Sequence, residues 1–295
     1  MELIKAKTIL TKVTNGNEWY GIDYNMNLYR GCSHGCIYCD SRSNCYHIEN
    51  FDVVKIKENM LKILESELLK KRYKGVVGIG SMADTYNPLE KRYEQTRNVL
   101  KLLSKYHFGV SIDTKSDLIL RDIGLLKEIN TKNNVIVKFT ITTPHDELSK
   151  IIEPNVCVSS KRFEAIKELS KNGIFVGIML NPVLPFITDK KDDIKLIVRK
   201  AYESGAKFIH TYMGMTLREN QKDYYFSKLD EYFPGLKDKY MNFYGNKYNC
   251  LVPNCQYLYQ LFIAECKKYG LLYNMNDIIK EYKKARVNNI QISLF

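Results

Sequence analysis

From Leu28 to about Gly214, apolar residues follow two alternating periods. Short β-rich runs predict strands at Tyr24–Tyr29, Val76–Ile79, Gly109–Asp113, Val135–Ile141, Ile174–Leu180 and Phe208–Tyr212. Between them, apolar residues three and four apart predict helices. Met60, Leu61, Leu64 and Leu68 form one such set, and Leu120, Ile123 and Leu126 another. Phe163, Ile166 and Leu169 form a third, and Ile194, Ile197, Val198 and Ala201 a fourth. Gly173 and Gly205 stand just after two of these helices, where a residue of positive φ is wanted. Repeating βα units favour parallel strands joined by right-handed crossovers. The expected fold class is α/β, a partial (β/α)6 barrel, although periodicity alone leaves a flat sheet of alternating topology open.

After Gly214 the pattern changes. Leu217–Phe233, Cys255–Tyr269 and Met275–Lys284 read as helices rich in Tyr and Lys, with no clear strands between them. No Pro, Gly or Ser linker separates them from what precedes. The expected organisation is a barrel over residues 1–215, a helical cap of the same domain over 216–290, and a short tail over 291–295.

Composition adds limits. The chain has 295 residues, 45% hydrophobic and 26% charged, which is ordinary for a globular protein and excludes wholesale disorder. Its longest clean apolar runs, such as Ile174–Leu180, fall far short of the ~20 residues that span a bilayer. The first residues, MELIKAKTILTKV, carry lysines inside their apolar stretch, unlike a signal peptide. The expectation is a cytoplasmic protein with no membrane partner. The net charge of +12 is made of 35 Lys against 10 Arg, alongside 24 Asn and 22 Tyr. That bias looks like an AT-rich genome, so the charge permits a polyanionic partner without pointing to one.

Four of the eight cysteines, Cys32, Cys36, Cys39 and Cys45, fall within 14 residues, while Cys157, Cys250, Cys255 and Cys266 are scattered. Clustered thiols in a chain of this size point to metal or catalysis rather than to a disulfide scaffold. Cys32, Cys36 and Cys39 sit on a loop directly after the first strand. Their spacing lets three thiolates bind three irons of a cubic cluster and leaves the fourth iron open to a small molecule. Gly31 and Gly35 let the loop wrap tightly. A zinc site with Cys45 as fourth ligand, in a binding module without catalysis, is the alternative.

The segment Arg30-Gly-Cys32-Ser-His-Gly-Cys36-Ile-Tyr-Cys39 resembles the cluster loop of the radical S-adenosylmethionine (radical SAM) superfamily. Within it, the chain resembles the spore photoproduct lyase-like branch, also labelled DNA-repair-photolyase-like. The likeness rests further on Gly80-Ser-Met-Ala-Asp84-Thr-Tyr86-Asn-Pro88-Leu-Glu90, Thr114-Lys115-Ser116, Ile152-Glu153-Pro154 and Arg162-Phe-Glu-Ala. It implies a [4Fe-4S] cluster on Cys32, Cys36 and Cys39. It also implies S-adenosylmethionine as cofactor, a 5′-deoxyadenosyl radical, and an electron donor such as flavodoxin or ferredoxin. A DNA substrate is the expectation; a peptide or a small molecule is the alternative.

The resemblance places Tyr38 beside the adenine and the methionine ammonium group near Gly80 to Asp84. Ser81 and Asp84 offer a hydroxyl and a carboxylate suited to a cation; alternatively Asp84 closes an Asx turn before Pro88. Lys115 is implied as partner of the methionine carboxylate, against the alternative of a solvated loop lysine. Thr140, Thr142 and Asn181 lie where barrel active sites collect and are read as facing inward. Glu90 reads as a helix start.

The lyase that names this branch uses a cysteine as hydrogen-atom donor. No cysteine aligns with it here; Cys157 is the candidate, with ordinary packing as its alternative. Cys250, Cys255 and Cys266 read as buried cap residues, their spacing matching no cluster pattern; a second cluster completed by one more ligand is the alternative. His34, between the cluster cysteines, reads either as a hydrogen-bond donor that tunes the cluster or as a residue that only serves the loop. The cap tyrosines offer either a stacking surface for bases or core packing. Finally, Gln291-Ile292-Ser293-Leu294-Phe295 resembles the pentapeptide by which bacterial DNA polymerases and repair proteins bind the sliding clamp; the alternative is docking back onto the barrel.

Overall fold

The computed structural model describes residues 2–14 and 18–290, with side chains through 284, so the tail residues Gln291, Ile292, Leu294 and Phe295 lie outside the described residues. Six strands form the main sheet: β1 (Tyr24–Met26), β2 (Val76–Ile79), β3 (Gly109–Thr114), β4 (Val135–Thr140), β5 (Phe175–Leu180) and β6 (Ile209–Thr211). Each pairs in parallel with the next in sequence, from β1 to β6. Because every crossover steps in the same direction, the strand order never reverses and the sheet curls instead of lying open. The fold is a partial (β/α)6 barrel with helices at the C-terminus, as the sequence predicts. Thr11–Lys12 adds an antiparallel pair at the β1 edge.

Side-chain alternation splits each strand between two environments. Val110 and Ile112 of β3 and Val137 and Phe139 of β4 pack outward in the main apolar core. They meet Leu64 and Leu68 of helix Met60–Lys70, Val99 and Leu103 of Gln95–Lys105, and Leu126 and Ile129 of Ile123–Lys132. A separate cluster at the start of the strands joins Val76, Ile136 and Phe208 to Tyr20, Ile278 and Tyr282. Tyr282 donates to the Tyr20 carbonyl at 2.6 Å, tying helix Met275–Ile290 to the turn Trp19–Gly21. Gly173 and Gly205 take φ values of +74° and +76°, as their place after helices requires. No helix among the described residues is long and apolar enough to cross a membrane.

Two expectations need correction. The predicted strand Tyr24–Tyr29 is two strands: after Met26 the chain leaves the main sheet, and Tyr29–Arg30 pairs instead with Lys55–Lys57 in a small sheet completed by Glu2–Ile4. That departure launches the cysteine loop away from the barrel wall. The region after Gly214 is not purely helical either. Gly214–Thr216 pairs antiparallel with Asn249–Leu251, and Pro234-Gly235 separates helix Gln221–Tyr232 from an unexpected one, Leu236–Tyr244. Strands of three residues are too short to carry a readable alternation.

Glu90 does begin a short helix, Glu90–Tyr93, and does more than that. Fully buried, it accepts from the Tyr29 hydroxyl at 2.5 Å and the Thr96 amide at 2.9 Å, and pairs with Arg121 at 2.8 Å. It thereby ties the strand entering the cysteine loop to the helices that follow β2. Glu90→Ala should therefore cost about 3 kcal/mol, measured as a lower urea midpoint with unchanged slope, because it orphans a hydroxyl and an amide and leaves Arg121 with Asp122 as its nearest carboxylate.

Candidate active site

The cysteine loop lies over the C-terminal ends of the strands, where a βα barrel presents its chemistry. Gly31 takes φ +81°, and a Cβ there would come within 2.6 Å of the Phe51 carbonyl oxygen, so the turn into Cys32 requires glycine. The Cys32 amide donates to that same carbonyl at 2.8 Å. From the other side, the segment after helix Asp146–Ile152 straps the loop down. Ile37 N donates to Ile152 O at 3.0 Å, Asn155 N to His34 O at 3.1 Å, and Asn155 Nδ2 to Ser33 O at 3.0 Å.

Beneath the strap is a buried ion pair. Arg162 of helix Ser159–Lys171 meets Glu153 at 2.6 Å, both side chains being fully buried. Arg162 also donates to the carbonyls of Thr140 at 3.0 Å and Cys157 at 2.8 Å. Glu153 accepts in turn from the Tyr38 hydroxyl. Burial works against the arginine's charge, but Glu153 together with Cys157 and Tyr38 outweighs it and keeps the guanidinium protonated. Burial and Glu153 together raise the Tyr38 phenol well above its ordinary range. Tyr38, one residue before Cys39, is thus anchored to the barrel through Glu153 and Arg162.

Cys32, Cys36 and Cys39 open onto one cavity of about 520 Å³. All three are free thiols. Burial pushes Cys32 up to about 11, with Asp84 adding to the effect, and also raises Cys36 and Cys39, which Lys115 pulls the other way. Thiols so desolvated need cationic partners to ionise, which iron and Lys115 provide. Among the described residues, no three His, Cys, Asp or Glu side chains gather around a single ion. Cys45, needed as the fourth ligand of a zinc site, is exposed, lies outside the cavity lining, and meets Ser43 and Arg218 instead. The donor set fits a multi-iron cluster.

Of the residues expected in the site, Tyr38, Ser81, Asp84, Lys115, Thr140 and Asn181 line this cavity with the three cysteines. Asp84 combines both of its readings. It lines the cavity, yet it accepts from Tyr86 N at 2.9 Å, Thr114 Oγ1 at 2.8 Å and Lys115 N at 2.7 Å, so its carboxylate closes the Asx turn and clamps the end of β3. His34 Nδ1 lies 3.6 Å from it, and burial lowers the imidazole's pKa against the pull of Asp84. Lys115 is no solvated loop residue. Burial opposes its charge, but Cys36, Glu153 and Asp84 more than compensate and keep the ammonium protonated.

Thr142 is fully buried and lies outside the cavity lining. Cys157 also lies outside it, its thiol directed to the Lys115 carbonyl at 3.1 Å. Cys250 and Cys266 are buried in different apolar clusters, as the cap reading expects. Tyr225, Tyr240 and Tyr244 are core, linked by a 2.9 Å contact between the first two hydroxyls, whereas Tyr248, Tyr257 and Tyr259 are exposed. The cavity also includes residues the sequence did not single out, notably Trp19, Asp113 and Met179, with Thr216 and Arg218 from the cap side. Arg218 and Thr216 both reach Asp40 Oδ1 at 2.9 Å, joining that wall to the residue after Cys39.

The family model of the Radical SAM superfamily matches residues 26–197, more than half of the chain. The chain belongs to the radical SAM superfamily. It is accordingly a radical SAM enzyme, with a [4Fe-4S] cluster and S-adenosylmethionine as its cofactors. An uncharacterized protein of Methanocaldococcus jannaschii is 35% identical over 64% of this chain and 70% of its own length. An uncharacterized protein of Mycobacterium tuberculosis is 27% identical over 82% of this chain and 72% of its own. Among solved structures, a spore photoproduct lyase variant shares the fold at TM-score 0.67 and 10% identity, covering 92% of this chain and 82% of that one. Another variant, solved with bound AdoMet and dinucleoside spore photoproduct, gives 0.64 over the same shares.

Two outcomes follow for the radical SAM site. Cys32→Ala, Cys36→Ala or Cys39→Ala should each lose the iron and the absorbance near 400 nm after anaerobic reconstitution, whereas Cys45→Ala should retain both. Arg162→Met should cost about 3–5 kcal/mol in denaturant unfolding by stranding Glu153, and adding Glu153→Leu should recover much of that loss.

Proposed function

We propose that this radical SAM enzyme acts on DNA, repairing or modifying a damaged pyrimidine. The observation that carries this reading is the extent of the fold likeness to spore photoproduct lyase. It covers 92% of the chain and so reaches well past the residues matched by the family model, into the segment that walls the cavity with Met215, Thr216 and Arg218. The net charge of +12 is compatible with a polyanion.

In this reading Cys32, Cys36 and Cys39 hold the cluster. When bound and reduced, it supplies one-electron cleavage of S-adenosylmethionine to a 5′-deoxyadenosyl radical. Lys115, half-buried in the cavity lining, takes the methionine carboxylate. Ser81 offers the ammonium group a hydroxyl, while Asp84 keeps the loop that carries it in place through Lys115 N and Thr114. Tyr38, fixed by Glu153, forms a rigid face beside the adenine. Thr140 and Asn181 complete the far wall. The enclosing strands and cap keep bulk water from a reactive species, which such chemistry requires.

The test is 5′-deoxyadenosine production by anaerobically reconstituted protein, supplied with reductant and S-adenosylmethionine, with spore-photoproduct-containing DNA set against undamaged DNA. The expected result is production above the DNA-free rate together with loss of the lesion by mass spectrometry. Equal production with both DNAs and no change in either would refute the DNA reading while leaving the radical chemistry intact. Lys115→Met should retain the iron and weaken S-adenosylmethionine binding by about tenfold, read by equilibrium dialysis.

A further inference from the structure

The inside of the barrel holds a charged pair that the cofactors do not account for. Strands β3 and β4 turn Ser111, Asp113, Lys138 and Thr140 inward, opposite to the apolar residues that face the helices. Lys138 is 1% exposed. Its Nζ lies 2.8 Å from Ser111 Oγ and 2.9 Å from Asp113 Oδ1, and sits 4.4 Å from the centre of the Tyr20 ring. A lysine and an aspartate buried in a barrel add little to stability, since apolar residues of similar volume serve as well or better. Their arrangement is one-sided. Lys138 is enclosed by Ser111, Asp113 and Tyr20, whereas the Asp113 side chain keeps 16% of its surface and lines the cavity onto which Cys32, Cys36 and Cys39 open.

The chemistry of the pair defines what it can receive. Lys138 fixes one side of the carboxylate, and among the described residues Lys138 is the only group paired with it. The pair is neutral overall and turns its carboxylate end to the cavity, so an anion is disfavoured and a cation meets a carboxylate already partnered by Lys138. A neutral donor does gain, because it meets a fixed, charge-bearing acceptor in a desolvated site. A flat wall stands nearby. Trp19 lines the same cavity at 43% exposure, its ring edge-on to Tyr20 at 5.4 Å and to His210 at 5.8 Å. An acceptor on the floor with an aromatic plane beside it suits a planar ring that carries an N–H.

We propose that Asp113 is a substrate-binding residue that accepts a hydrogen bond from the imide N–H of a pyrimidine base, with Lys138 as the residue that positions its carboxylate. This rests on the DNA-lesion reading above and names the contact by which the base is held. It predicts discrimination by a single hydrogen, since a site built around one donor rejects the analogue that lacks it.

The experiment uses reconstituted enzyme with dinucleoside spore photoproduct and with the same compound methylated at its imide nitrogens. Wild type should show a KM at least tenfold higher for the methylated probe. Asp113→Ala should raise KM for the unmethylated probe to a similar extent, erase the difference between the two, and bind S-adenosylmethionine within twofold of wild type. Because Asp113→Ala strands Lys138, the double variant Asp113→Ala/Lys138→Met is made in parallel and should give the same loss of discrimination. Should wild type use both probes equally, or should Asp113→Ala still prefer the unmethylated one, Asp113 is not the contact, though the lesion reading stands. An equal loss of S-adenosylmethionine affinity would instead assign Asp113 to the cofactor and overturn the proposal. No turnover of either probe by wild type would remove the lesion reading itself, and this contact with it.

Discussion

An arginine without solvent exposure stays charged only if the fold supplies a counter-charge and acceptors for its donors. Arg162 is in that position, and the neighbourhood of the cysteine loop supplies its counter-charge and the acceptors for Nε and Nη1. Glu153 neutralises it, the Thr140 and Cys157 carbonyls take its hydrogen bonds, and Glu153 then receives Tyr38. The strap from Ile152 to Asn155 fixes His34 and Ile37 through backbone bonds and Ser33 through the Asn155 side chain. A loop with no regular secondary structure of its own is thereby held to the rigidity of β4 and of helix Ser159–Lys171. If Cys32, Cys36 and Cys39 are to hold one cluster they need fixed mutual positions, and this ion pair, through Tyr38 and the strap, is a constraint that serves that need.

The same logic grades the barrel from bottom to top. At the start of the strands Tyr20, Val76, Ile136, Phe208 and Ile278 make an apolar plug. One layer up, Ser111 and Lys138 begin a polar region, and Asp113 carries it into the cavity. At the rim are the thiols, Lys115 and Asp84. Gly80 marks the join between the upper layers: with φ +100°, it has no room for a Cβ against the Asp113 carbonyl. The loop that carries Ser81 and Asp84 therefore lies directly on β3, which places Lys115 beside the cysteines.

Much of this was legible in the sequence because its signals are local. The run Val76–Ile79 forms a strand over its predicted bounds, the glycines after two helices take the φ they require, and the spacing of Cys32, Cys36 and Cys39 identifies the loop. What escaped depends on distance. Glu153 and Arg162 were visible as separate patches, but their pairing depends on how a helix folds back over its own loop. Asp84 carries no sequence mark that separates ligand from turn, since one carboxylate does the turn's work while facing the cavity. Lys138 did carry a signal, as the lone charge in an otherwise apolar strand. Reading Val135–Ile141 as simply β-rich passed over it, although a buried charge is more informative than the apolar residues around it. The short strands after Gly214 lay below what alternation can resolve.

The balance of charge inside the cavity bears on how a nucleic acid can enter it. Asp40, Asp84 and Asp113 line it against Lys115 and Arg218, and Arg218 is already paired with Asp40. Three cysteines holding a cluster would add no positive excess, so the interior holds no surplus of cations despite the chain's +12. Phosphates carried inward would lose hydration without gaining partners, a cost that buried charge cannot recover in a medium of low dielectric. On the DNA reading, the backbone therefore stays outside the cavity, where its phosphates keep their hydration, and only an uncharged base passes inward toward Asp113 and Trp19. That is the geometry of an extruded base, in which a damaged pyrimidine, already poorly stacked, costs least to bring in.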